Sequence, residues 1–319
     1  EFGDSRGRVA AVDGLVRLSR TDDLEFRVAQ SSTRLEDGVE LSGANYDLQL
    51  RHNGRSFDYN ASHEAVEPGF RTSTGFVQRT NFRRTRGGTG YRWWPQNRVL
   101  NNFGPEVNYL RSYNYLGGVD DESLGTSGTV QFASNIRVNT SVSREMERYL
   151  GIRFHKWRRN IFAFVNTSRQ FSVGGGFNWG DDVRYSETPF LGRSQGARLF
   201  LNVVPSSRLR SFLNVNYSRL DDPRDGSRVF AVTILRSQTT YQFTGRLLAR
   251  TILQYDTLLK TFDANLLFTY RVNSGTVFFA GYDDHYRQGN QIDAHVFPTN
   301  SFRQTNRAFF TKLSYLFRY

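Results

Sequence analysis

Residues 311–319 read TKLSYLFRY. Leu313, Tyr315, Phe317 and Tyr319 take alternate positions, and Lys312, Ser314 and Arg318 fall between them. Phe309 and Thr311 extend the first series upstream. A period of two puts the two sets on opposite sides of an extended chain, so this stretch predicts a β-strand whose sides meet different surroundings.

The same template fits much of the chain. In residues 247–256, Leu247, Ala249, Thr251, Leu253 and Tyr255 alternate with a set that includes Arg250, Gln254 and Asp256. Ala264, Leu266, Phe268 and Tyr270 alternate with Asn265, Thr269 and Arg271. Leu213, Val215 and Tyr217 alternate with Asn214, Asn216 and Ser218, and Tyr46, Leu48 and Leu50 with Asp47, Gln49 and Arg51. Residues 171–179 alternate Phe, Val, Gly, Phe and Trp with Ser, Gly, Gly and Asn. No segment sustains a 3.6-residue period, so almost no helix is expected.

Composition narrows the class. Among 319 residues there is no cysteine, which excludes a disulfide framework and cysteine-based metal or nucleophile chemistry. No run approaches the roughly 18 apolar residues of a membrane-spanning helix. The formal charge is +12, and lysine occurs only at Lys156, Lys260 and Lys312. A basic balance raises the possibility of nucleic-acid binding. The arginines, however, are spread along the whole chain, usually one at a time between apolar residues, instead of forming a block or helical stripe. A soluble basic β protein is therefore the least favoured reading, and no nucleic-acid partner is expected.

Two features separate this pattern from a soluble sandwich, whose apolar faces meet in a compact core. The polar series mixes small, amide and arginine residues, as a wet interior would. The apolar series is rich in aromatics toward strand ends. Trp94, Tyr241, Phe243, Tyr270, Phe317 and Tyr319 gather near one set of turns, and Tyr149, Trp179, Tyr217, Tyr255 and Tyr282 near the other. Two aromatic bands around an aliphatic middle are what two membrane interfaces select.

The connections alternate in kind as well. Tight polar turns such as 52–55 and 272–275 are expected on one side. Longer loops rich in acid and glycine are expected on the other, among them residues 67–78, 117–123, 221–227 and 287–303. The reading is an all-β, antiparallel up-and-down transmembrane β-barrel of the outer-membrane type, with about 16–18 strands. It occupies residues 1–319 as one domain. The strand count itself comes to about seventeen, whereas single-chain bacterial barrels have even numbers. The chain also begins without Met or a signal-like apolar stretch. The expectation is that upstream strands of a longer protein are missing.

Three stretches carry a family resemblance: FRTSTGFVQRTNFRR (residues 70–84), TTYQFTGRLLARTILQYD (residues 239–256) and the terminal TKLSYLFRY. Together they resemble domain-of-unknown-function family 5916, with GFVQR (residues 75–79) the most specific match. Members are bacterial outer-membrane proteins with an N-terminal carbohydrate-binding module of family-nine type followed by a C-terminal barrel. The resemblance covers nearly the whole chain and implies the barrel part alone, so no carbohydrate-binding residue carries over. It implies a Gram-negative-type outer membrane, contact with outer-membrane lipid and lipopolysaccharide, and a carbohydrate link through the missing module. The ending also resembles the signal read by the barrel-assembly machinery, which makes Leu313, Tyr315, Phe317 and Tyr319 the candidate assembly residues.

Candidate chemistry is sparse. Asp283, Asp284 and His285 lack the companion spacing of a metal or acid–base site. Ser62 and His63 are neighbours on a strand and point to opposite faces, so they cannot form a nucleophile–base pair. The glycines of residues 174–176 lack the strand–turn–helix context of a phosphate loop and are expected to bend the sheet or make room inside it. No catalytic residue, metal site or cofactor is predicted, and a barrel-borne hydrolase is the alternative. The polar-face arginines, Arg17, Arg27, Arg51, Arg198, Arg236, Arg250, Arg271 and Arg318, are the candidate pore-lining residues. Either they line an anion-favouring pore, or they pair with Asp13, Glu25, Asp47 and Asp256 and brace the wall. The predicted function is a pore, transporter or surface scaffold.

Overall fold

A computed structural model describes residues 6–72, 75, 77–166, 168–292 and 295–316. Seventeen strands form one up-and-down sheet, with no helix among the described residues. In chain order they are β1 (Arg6–Arg17), β2 (Asp22–Arg34), β3 (Glu40–Asn53), β4 (Phe57–Val66), β5 (Phe82–Tyr91) and β6 (Leu100–Tyr113). Next come β7 (Val119–Phe132), β8 (Ile136–Tyr149), β9 (Ile152–Val165), β10 (Phe171–Arg184), β11 (Phe190–Ser206) and β12 (Leu209–Asp221). The last are β13 (Arg228–Gln242), β14 (Leu247–Asp256), β15 (Thr261–Arg271), β16 (Thr276–Ile292) and β17 (His295–Tyr315). The shortest have 10 residues and the longest 21, enough for a tilted crossing of the membrane, which takes about 9–11.

The chain divides into two compact units. The first comprises Glu1–Ala133, Asn139–Arg159 and Val183–Leu191, and the second Ser134–Val138, Asn160–Asp182 and Gly192–Tyr319. In the first, β1 through β7 pair antiparallel in sequence order; in the second, β11 through β17 do so.

Register defines the faces, because paired residues point to the same side of the sheet. In the second unit one row runs Asn214, Arg236, Gln254, Asp263, His285 and Asn306. The adjacent row on the opposite face runs Leu201, Leu213, Ser237, Leu253 and Ala264. The apolar face is the exposed one: Leu199 keeps 51% of its surface, Leu253 40%, Phe268 41% and Tyr270 43%. Leu201, Val215, Leu253, Leu266 and Phe268 all share it, as their alternation predicts.

Aromatic residues sit on this face at both ends of the second unit. Tyr241, Phe243, Tyr270, Phe278 and Tyr315 lie near one set of turns, with Tyr241 edge-on to Phe243 at 4.8 Å. Phe302 packs against Tyr255 and Phe262 at the other end. In the first unit His52 stacks on Tyr59 at 5.1 Å, and Trp93 stacks on Phe103 at 5.2 Å.

The expected long loops are corrected by the structure at two places. Residues 119–123 belong to β7, and residues 287–303 lie within the β16–β17 ribbon as far as they are described. These two stretches are strand continuations, whereas residues 222–227 and the described residues of 67–81 lie between strands as expected. At residues 150–151, Leu150 and Gly151 both have positive φ (47° and 80°), the conformation of a two-residue hairpin turn whose twist matches its strands. The longest connection between the described strands runs from Val66 to Phe82, and residues 92–99 make a second.

Candidate functional site

The polar face of the first unit carries arginines that are largely paired. Arg51 Nη2 lies 3.1 Å from Glu25 Oε2, and Arg17 Nε lies 3.7 Å from Asp23. Arg27 is flanked in register by Asp13 and Asp47, and the same row continues through Glu64 and Arg84, which are 3.9 Å apart. Arg51 thus meets Glu25, one of the acids weighed as a partner, whereas Arg17 meets Asp23, which was not among them.

The second unit differs. Arg198 stands opposite Asn216, Arg236 between Asn214 and Gln254, and Arg250 between Thr240 and Leu267. Arg271 faces Val277. All four are exposed and have no carboxylate partner among the described residues. Asp256, weighed as a partner, instead accepts the N–H groups of Leu258 and Leu259 (2.8 and 2.9 Å) and caps its own turn. Arg210, opposite Thr240, joins the same face. Its alternation with Leu209 and Ser211 shows this once the strand start is fixed. Arg318, with Phe317 and Tyr319, lies outside the described residues. Leu313 and Tyr315 are exposed on the apolar face beside Phe278 and Thr276.

The described residues of the stretch 67–81 fold onto the polar face of the first unit. The Ala44 N–H donates to Glu67 Oε2 (2.8 Å), and the Arg71 N–H donates to Ser31 Oγ (2.9 Å). Ser31 in turn donates to the Gly43 carbonyl and is fully buried. Phe70 is buried with Ala29, Val66 and Phe82, and Val77 packs against the cluster. A Cβ on Gly43 would come within 2.3 Å of the Phe70 nitrogen, so only glycine permits this approach. Arg79 closes the far end of the loop, 2.5 Å from Asp120 and 3.7 Å from Asp121. Its guanidinium also lies 5.7 Å from the Phe82 ring. The sequence marks this stretch as a loop but not its inward course. The available signal was three large apolar residues, Phe70, Phe76 and Val77, inside a connection otherwise made of polar residues, glycine and proline.

Asp283 and Asp284 separate onto opposite faces. On the polar face, His285 Nδ1 is 2.6 Å from Asp263 and Nε2 is 2.9 Å from Asp283, while Asn265 also bonds Asp283. The imidazole is held at both nitrogens, which leaves neither free as a base. On the apolar face, Asp284 is only 3% exposed. Its Oδ2 accepts the Tyr282 and Tyr286 hydroxyls (2.7 and 2.8 Å) and Arg307 Nη2 (3.1 Å), and Gln304 bonds the other oxygen. A carboxylate on this face is tolerable because four donors replace its water. Ser62 faces Gln49 on the polar side, whereas His63 bonds Thr85 Oγ1 (3.0 Å) on the other. No group of three or more metal-ligating side chains is arranged to hold an ion among the described residues.

Polar-face glycines leave room for rings. A Cβ on Gly174 would meet Phe200 at 2.4 Å and Phe164 at 3.0 Å. Phe200 lies in contact with Phe162, Phe164 and Phe212, with centroids 5.9–6.2 Å apart.

No protein-family model and no curated protein matches the chain. Solved structures do. The ferric enterobactin receptor PfeA of Pseudomonas aeruginosa is 11% identical, with a TM-score of 0.56, over 98% of this chain and 62% of the receptor. The siderophore receptor PirA of Acinetobacter baumannii is 8% identical, with a TM-score of 0.57, over 98% and 64%. The copper transporter OprC is 9% identical, with a TM-score of 0.56, over 97% and 63%. The chain thus has the fold of outer-membrane β-barrels and spans less than two thirds of the length of these proteins.

Proposed function

We propose that this chain is the wall of an outer-membrane pore or transporter of a Gram-negative-type bacterium, with an interior that favours anions. The observation that carries the reading is the inverted exposure of the sheet. Its aliphatic and aromatic face is open, and its polar face holds the unpaired arginines and the in-folded loop. In water such a sheet would leave far more apolar surface exposed than soluble proteins tolerate. In a bilayer the same face is solvated by lipid, and the polar face lines the water-filled side. The solved barrels named above support this reading through fold alone. Neither arrangement weighed as a catalytic site is assembled: His285 is occupied at both nitrogens, and Ser62 and His63 point apart.

A carbohydrate link is the finer reading, supported by the family resemblance and by the ring cluster around Phe200. Flat apolar rings on a polar wall suit the C–H faces of sugars. Liposome swelling with oligosaccharides tests it: the Phe200→Ala variant should admit them more slowly and leave small ions unaffected.

Pore function itself is tested in planar bilayers with the loop as the handle. The protein should conduct, and Gly43→Val, which cannot coexist with the seated Phe70 backbone, should raise conductance by displacing residues 67–81. If neither protein conducts, the pore reading fails.

A further inference from the structure

The apolar face of the first unit contains one feature that a lipid-facing wall does not require. A cavity of about 420 Å³ opens among β6, β7, β8 and β9. Arg111, Glu122, Arg144, Glu145, Arg153 and His155 supply its polar lining, and Val119, Leu124 and Met146 its apolar lining. Register places Arg111 on the same face as Leu48: the row runs Leu48, His63, Thr85, Arg111 and Glu122. Val107, Tyr109 and Leu124 are exposed on that face just below.

All four basic residues lie in the same end half of their strands. Arg111 is close to the end of β6, Arg144 is past the middle of β8, and Arg153 and His155 lie near the start of β9. This is also the end from which residues 67–81 extend. Arg111 is held in place by the Tyr113 ring, 4.9 Å from its guanidinium, and by Glu122 at 3.7 Å. Glu145, the other acid at the cavity, is engaged by Arg158 at 3.4 Å and Lys156 at 3.9 Å. Arg144 and Arg153 therefore face the cavity with no carboxylate partner among the described residues.

Unpaired guanidinium groups on a lipid-facing surface are costly unless an anion meets them. Arginine forks match phosphate oxygens in pairs, and the Leu124–Met146 side suits an acyl chain. We propose that this cavity binds one phosphorylated, acylated glycolipid of the lipid A type, with phosphate on Arg144 and Arg153 and chains along the apolar wall. The proposal rests on the outer-membrane reading above and names the lipid ligand of that surface.

The test uses the detergent-purified protein, native mass spectrometry and added bisphosphorylated lipid A, with dephosphorylated lipid A as the comparison. One phosphorylated molecule should be retained per chain. Arg111→Gln/Arg144→Gln/Arg153→Gln should weaken retention at least about tenfold. Arg144→Gln/Arg153→Gln, which keeps the Arg111–Glu122 pair, should do nearly as much and guards against a folding defect. Arg20→Gln/Arg55→Gln/Arg98→Gln removes equal charge from the turns at the other end of the first unit and should change nothing. Equal retention of the dephosphorylated lipid, or full retention by the double variant, would overturn the site. Displacement by equimolar inorganic phosphate would assign it to a soluble anion and overturn the lipid occupant. Heat-modifiable gel mobility is measured in parallel. Its absence in the unaltered protein counts against the outer-membrane reading, whatever the lipid data show.

Discussion

Leu253→Arg should destabilise the folded protein in bilayers by about 2–4 kcal/mol, the cost of a guanidinium at mid-depth on a lipid-facing strand. Ile252→Arg, one residue away, should cost a small fraction of that. Both side chains are aliphatic, both sit near the middle of β14, and hydropathy alone does not separate them. Register does. Leu253 pairs with Ser237 and Ala264 on the exposed apolar face, whereas Ile252 pairs with Gln238 and Asn265 on the polar face. An arginine at 252 reaches water beside two amides, and an arginine at 253 must snorkel or drag water into hydrocarbon. Reversible urea unfolding from lipid vesicles measures the difference. Equal losses for the two variants would mean that the face assignment, and with it the membrane reading, is wrong.

That contrast also shows why so much of the fold was legible in the sequence. A strand between lipid and water has two solvents, so period-two alternation is written into nearly every crossing. Leu213, Val215 and Tyr217 against Asn214, Asn216 and Ser218 is enough to orient β12. Legibility ends where both faces meet water. Residues 119–123 and 287–303 read as loops because acid, glycine and amide residues appear on both sides, yet the hairpin ladder continues through them where they are described. Backbone pairing needs no hydrophobic face, and composition does not report it. The course of residues 67–81 depends on Gly43, more than twenty positions upstream, giving the Phe70 backbone room to approach. No local pattern encodes that contact. Asp284 is a third case. Alternation puts it on the apolar face, but only the register bulge after His285, which brings Gln304 opposite Tyr286, shows how it is satisfied there.

The arginines were half legible. Alternation placed them on one face, but pairing is a tertiary fact, and it divides them. Arg51 shares its charge with Glu25 at 3.1 Å, so this pair adds little net field to the interior. Arg198, Arg236, Arg250 and Arg271 stand among amides, hydroxyls and aliphatics with no carboxylate partner among the described residues. On the proposed pore reading their charge is available to mobile ions, and a low-dielectric wall strengthens it. In a salt gradient across a planar bilayer, the unaltered protein should show an anion-selective reversal potential. Replacing all four by glutamine should reduce the anion-over-cation permeability ratio several-fold or invert it. Removing Arg51 and Glu25 together deletes no net charge and should leave the ratio where it was. High salt should blunt the difference between the proteins, since the Debye length falls to about 3 Å at 1 M. Cation preference in the unaltered protein, or unchanged selectivity in the fourfold variant, would show that these arginines brace the wall and that some other group sets the field of the pore.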